Sequence, residues 1–154
     1  MGHSKKYYSN LQESSIATYL NWVQISGSGS RPLHPGDIAD KKWLGECKTH
    51  TTPGHRIVFS FDVWDKLERE AISQFKRPAL FVDDGSQKLS KTWVMVKTPE
   101  IERKKLTADV LDCTKSKSIR VNQKAEETAV IFLRDSDVYM VMTLESFRSF
   151  LGYE

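Results

Sequence analysis

Apolar and polar positions along the chain predict helices interleaved with short strands. Leu11, Ile16, Tyr19, Leu20 and Val23 recur at near-helical spacing and predict a first helix over 11–25. Ser9 or Asn10 is placed to cap it, and Gly27 and Gly29 to stop it. Asp37-Ile38-Ala39 reads as a short strand, Asp40-Lys41-Lys42 as a turn, and 43–49 as a returning strand. Pleat alternation puts Trp43, Gly45, Cys47 and Thr49 on one face of that strand. Leu44, Glu46, Lys48 and His50 fall on the other.

The apolar run Ile57-Val58-Phe59 leads into Ser60, an N-cap with Asp62 in the first turn behind it. The second helix then extends to about residue 76, with Phe61, Trp64, Leu67, Ile72 and Phe75 on its apolar side. Residues 79–82 form a buried-type strand ended by Asp83-Asp84-Gly85, and 92–96 form another. Residues 99–124 are charged, with a weak helical stretch and a short strand at 118–121. Residues 129–133 and 138–143 predict a hairpin over 134–137, and 144–151 a closing helix. This order predicts one mixed α/β domain with a central sheet flanked by helices.

The length of 154 residues is that of one domain, able to fold without disulfides or structural metal. Hydrophobic residues at 39% and charged residues at 28% exclude collagen, coiled coil and full disorder. The longest apolar runs, such as 138–144, are too short to span a bilayer. The basic N-terminal residues have no apolar segment behind them, so no export signal is visible and a cytoplasmic location is expected. Cys47 and Cys113 have 65 residues between them, which fits neither a metal-ligand pair nor a disulfide framework. Residues 1–124 hold 21 Lys and Arg against 14 Asp and Glu, while residues 125–154 hold 2 against 6. A body of net charge +7 suggests an anionic partner such as nucleic acid.

The chemistry concentrates in Asp37 and Glu46-Cys47-Lys48, with eight residues between the two acids. Glu46 and Lys48 stand two apart on a strand and share a face. If the strands pair through the Asp40-Lys41-Lys42 turn, Asp37 lies beside Glu46. Two carboxylates there can hold a hard dication such as Mg²⁺ through oxygen. The adjacent Lys48 can position water or offset negative charge developing on a phosphate.

An acid, a short hairpin and then acid-x-Lys resembles the PD-(D/E)xK nuclease signature. With Glu13 on the first helix and Gly27-Ser28-Gly29-Ser30-Arg31 before the aspartate, the chain is similar to archaeal and phage-type Holliday junction resolvases of that superfamily. The resemblance covers about residues 9–96. The proline of the motif stands at Pro35, two residues before Asp37, with Gly36 between them.

The resemblance implies a restriction-endonuclease-like core in which Asp37 and Glu46 ligate Mg²⁺, with Mn²⁺ as a substitute. Lys48 would act on the attacking water, and Glu13 would be a further ligand or a supporting acid. Ser30 and Arg31 would contact the scissile phosphate. Lys41, Lys42, His50 and Arg56, with Lys5 and Lys6, would supply backbone contacts to DNA. The activity implied is cleavage of phosphodiester bonds in branched DNA, above all a four-way junction. Symmetric cutting of two strands needs two sites, hence a homodimer, for which the C-terminal hairpin and helix offer an interface. The length and the lack of a targeting segment suit a phage or prokaryotic protein.

The same residues admit other readings: a nicking, repair or restriction-type nuclease, or a nucleic-acid-binding subunit without catalysis. His34, His50 and His55 have spacings of 16 and 5, which match no standard zinc site. Trp22, Trp43, Trp64 and Trp93 lie on apolar stripes and are expected in the core, and Cys47 is expected to pack there too.

Overall fold

The computed structural model describes residues 3–25, 36–98, 111–121 and 129–152. Helix α1 spans Lys5–Leu20 and begins earlier than its apolar stripe suggests, because Ser4 is the N-cap and accepts the Tyr7 backbone N–H at 3.3 Å. It also ends earlier. Asn21 adopts the left-handed conformation, φ 60° and ψ 38°, and its N–H reaches the carbonyls of Ala17 and Thr18. The helix therefore stops ahead of the Gly27/Gly29 pair, which lies outside the described residues. Val23–Gln24 becomes strand β1 instead of the last helical turn.

Strands β2 (Ile38–Ala39) and β3 (Trp43–Lys48) follow, then β4 (Ile57–Ser60), helix α2 (Phe61–Ser73) and β5 (Arg77–Val82). After a single 3₁₀ turn at Leu89–Lys91 come β6 (Trp93–Lys97), β7 (Leu111–Asp112) and β8 (Ser118–Val121). The hairpin of β9 (Ala129–Arg134) and β10 (Asp137–Thr143) leads into helix α3 (Leu144–Phe150). The weak helical stretch expected after residue 99 falls on residues outside the described set.

Among the described residues, eight strands form one mixed sheet in the order β1-β2-β3-β5-β6-β10-β9-β7. The pairs β3–β5 and β7–β9 are parallel and the remaining pairs antiparallel. The chain passes from β3 to the parallel β5 through β4 and α2, the crossover that a parallel pair requires. A separate two-stranded sheet joins β4 to β8, which gives the Ile57-Val58-Phe59 run a partner the sequence did not suggest.

The pleat sorts side chains into two cores. On one face Trp43, Cys47, Ala79, Phe81, Val94 and Met142 pack against α1 and α3. On the other, Leu44, Leu80, Val82, Met95 and Val141 pack against α2, β4 and β8. Trp22, Trp43, Trp64 and Trp93 are all buried.

Helix α2 contributes Trp64, Leu67 and Ala71 to its core, but Ile72 is exposed and Phe75 is 96% exposed. Both were expected on the apolar side. Ile72 lies about 100° around the helix from Ala71, and Phe75 comes after the helix has ended, with φ 58°. Arg134 of β9 ties α2 to the hairpin through a bidentate contact with Asp65, at 2.8 and 3.0 Å.

The hairpin is no appendage. Strand β10 pairs with both β6 and β9. Phe147 of α3 is fully buried, edge-on to Trp22, Trp43 and Phe81. The inner faces of the hairpin and of α3 are thus used inside the chain. Among the described residues no helix is long and apolar enough to cross a membrane.

Candidate functional site

The antiparallel register Ile38↔Gly45 and Ala39↔Leu44, continued by one residue, puts Asp37 opposite Glu46. Hydrogen bonds to β3 and to the residue after β1 hold the aspartate there. Its N–H donates to the Gly45 carbonyl at 2.8 Å, its carbonyl accepts from Ile25 at 2.8 Å, and its Oδ2 accepts the Cys47 N–H at 2.8 Å. Gly36, just before it, has φ 91°, a conformation glycine adopts without strain.

Glu13 reaches the same place from α1. It is only 8% exposed, and its carboxyl is hydrogen-bonded to Asp37. Gln24 of β1 donates to Glu13 Oε2 at 3.4 Å and to Asn10 Oδ1 at 2.8 Å. Burial, then the neighbouring Asp37 and more weakly Glu46, push the Glu13 pKa up to about 8. Burial and Asp37 also raise Glu46, to about 7, against the opposing pull of Lys48. The Lys48 ammonium lies 3.4 Å from Glu46 Oε1 and keeps half of its side chain in solvent. The middle of α1 is latched to this strand end, since Gln12 donates to the Lys48 carbonyl at 2.7 Å.

A Glu13–Asp37 pair and a Glu46–Lys48 pair thus lie side by side where β2, β3 and α1 converge. Burial and mutual repulsion raise both glutamates despite the one nearby ammonium, and an all-oxygen donor set suits a hard dication. The donor chemistry fits Mg²⁺. Among the described residues no three His, Cys, Asp or Glu side chains already converge as a ligand set. Glu13 hydrogen-bonds Asp37 while Glu46 pairs with Lys48.

Other expected contacts are placed differently. Lys41 and Lys42 are exposed in the β2–β3 turn, where Asp40 Oδ1 accepts the N–H groups of Lys42 and Trp43 at 2.8 and 2.7 Å. That turn is at the far end of β3, with Lys42 about 20 Å from Lys48 at the usual strand rise.

His50 was expected on the Glu46/Lys48 face, but β3 ends at Lys48 and its alternation does not extend to residue 50. The His50 ring stacks on His55 at 3.8 Å, and its carbonyl accepts from Gln87 at 2.7 Å. Arg56 is exposed just before β4. Lys5 and Lys6 are exposed in the first turn of α1. Ser30 and Arg31 lie outside the described residues.

Cys47 packs in the core between Glu46 and Lys48, and burial pushes its thiol well up, which removes it as a nucleophile. Asp83-Asp84-Gly85 is a strand-ending turn. Asp83 Oδ1 accepts from Thr49 Oγ1 at 2.5 Å and from the Gly85 N–H at 2.7 Å.

The periodicity did not single out Gln12, Gln24, Lys66 or Glu70. Gln12 is a buried polar residue beside Glu13, and Lys66 and Glu70 stand one turn apart on α2. Only the three-dimensional packing puts them around β3.

No family model matches the chain, and no curated protein or solved structure matches it.

Proposed function

We propose that the chain is a metal-dependent DNA endonuclease of the PD-(D/E)xK type, with branched DNA, and the four-way junction in particular, as its substrate. The observation that carries this reading is the hydrogen bond from Cys47 to Asp37, which fixes Asp37 against the strand bearing Glu46 and Lys48 while Glu13 faces it. The surrounding elements stand in the order the sequence resemblance names: glutamate helix, aspartate strand, Glu-x-Lys strand, Ser60-capped helix, then the strand at 79–82. The restriction-endonuclease-like core is part of the same proposal.

Asp37 and Glu46 would hold Mg²⁺, or Mn²⁺ in its place, with Glu13 as a third oxygen donor. Bound there, the ion would supply positive charge to the phosphate and acidify water. Gln24 orients Glu13 through its hydrogen bond. Lys48, with its ammonium partly in solvent, is placed to hold the attacking water and to offset charge on a phosphate oxygen. Water oxygen would attack phosphorus, and the bond from phosphorus to the leaving sugar oxygen would break. Shape and backbone contacts, not base edges, would select the substrate. Paired cuts across a junction would call for two copies of the chain.

The test is cleavage of a labelled four-way junction and a matched linear duplex, with Mg²⁺ and with chelator. Metal-dependent cutting confined to the junction supports the resolvase reading. Cutting of both supports a general nuclease at the same site. DNA binding without cutting under any metal overturns catalysis and leaves a binding subunit.

A further inference from the structure

Beside Glu46 and Lys48 runs a groove of about 260 Å³ whose second wall is α2. Lys66 and Glu70 line it from that helix, and Val63 adds apolar surface beside the buried Leu67. Two ammonium groups therefore border one groove, each held by a carboxylate: Lys48 by Glu46 at 3.4 Å, Lys66 by Glu70 at 4.0 Å.

The Lys66 side chain is 73% exposed, and its pairing with the less exposed Glu70 one helical turn away is long, at 4.0 Å, and of a kind that contributes little to stability. Exchanging Glu70 for another anion would therefore cost little. We propose that this groove seats the sugar–phosphate backbone next to the scissile bond, with Lys66 passing from Glu70 to a phosphate oxygen. The inference rests on the nuclease reading and extends it to a second wall that the motif does not include. The half-buried Val63 matches an apolar face of a deoxyribose, while the ammonium groups match its phosphates.

The groove also carries Asp62, so its acids outnumber its lysines. Phosphate binding there accordingly needs a divalent ion to offset the carboxylates.

The test measures binding of a fluorescent four-way junction by the full chain in Ca²⁺ across a salt series, for wild type, Lys66→Ala and Lys66→Arg. Melting curves check that each variant is folded. Loss of one phosphate contact should weaken Lys66→Ala by about tenfold and reduce the magnitude of its salt slope by about one, and Lys66→Arg should restore both. Unchanged affinity and slope in Lys66→Ala, with wild type binding DNA, overturns this inference and leaves the nuclease reading standing. Absence of DNA binding and of cleavage by wild type overturns both.

Discussion

Asp37 Oδ2 accepts the backbone N–H of Cys47 at 2.8 Å, and Cys47 is the residue between Glu46 and Lys48. The aspartate is thus fixed to the backbone of the strand that displays its two partners. One side chain of that strand, Cys47, packs in the core while its neighbours face the site.

The carboxylate cluster makes stability pH-dependent in a stated direction. Both Glu13 and Glu46 have folded pKa values above the ordinary 4.5, at about 8 and about 7. Their contribution is fully present below about 4.5 and is lost as pH rises through 7 and 8. Without divalent metal, the melting midpoint should fall between pH 5 and pH 8 at fixed ionic strength. Glu13→Gln should flatten that fall and raise the midpoint at pH 8 by a few degrees, given that about 1 kcal/mol moves it by about 2–4 °C at this chain length.

Metal should reverse the trend. If Asp37 and Glu46 hold Mg²⁺, ion at ten times its Kd stabilises the folded chain by about 1.4 kcal/mol. Thermal scans at pH 8 with and without Mg²⁺ should show that gain in wild type and lose it in Glu46→Gln. Equal gains in both would remove Glu46 from the ligand set.

Gly45 packs where a side chain does not fit. A Cβ there would meet Ile38 Cγ1 at 2.7 Å and Phe81 Cε2 at 2.9 Å. Its carbonyl also holds the Asp37 N–H. Gly45→Ala should destabilise by about 1–3 kcal/mol through overpacking, and it should depress cleavage because β2 must move away from β3. Denaturant unfolding and a cleavage assay check the two effects separately.

Phe147 tests whether the C-terminal segment belongs to the same cooperative unit. It is fully buried against Trp22, Trp43 and Phe81. Phe147→Ala should cost about 3–5 kcal/mol. A chain truncated after residue 128 loses β10, which joins β6 to β9, and should show no cooperative melting transition.

Periodicity and motif spacing went far here, for local reasons. Alternation in β3 separated Trp43 and Cys47 from Leu44, Glu46 and Lys48, because a strand's two faces are written directly in its sequence. Ser60 as a cap and the hairpin at 134–137 were legible for the same reason. Helix ends were not. Ser4 and Asn21 set the limits of α1 through hydrogen bonds that apolar spacing does not encode. His50 and Phe75 failed because a periodic pattern was carried past the end of its element. The β4–β8 pair and the central place of β10 are long-range pairings that no local pattern carries. In the candidate site, Asp37, Glu46 and Lys48 were legible as a spaced motif, and Glu13 entered through the family resemblance. Gln24, Lys66 and Glu70 gain their positions only from tertiary packing.

The account stands most directly on Asp37. Its replacement by Asn keeps an oxygen that can accept the Cys47 N–H, so the fold should persist while the charged oxygen is lost. Cleavage of a labelled four-way junction in Mg²⁺ should fall by about 100-fold or more in Asp37→Asn, the size of effect seen when a transition-state charge partner is removed, with an unchanged circular dichroism spectrum. Wild-type cleavage retained by a folded Asp37→Asn would contradict the account.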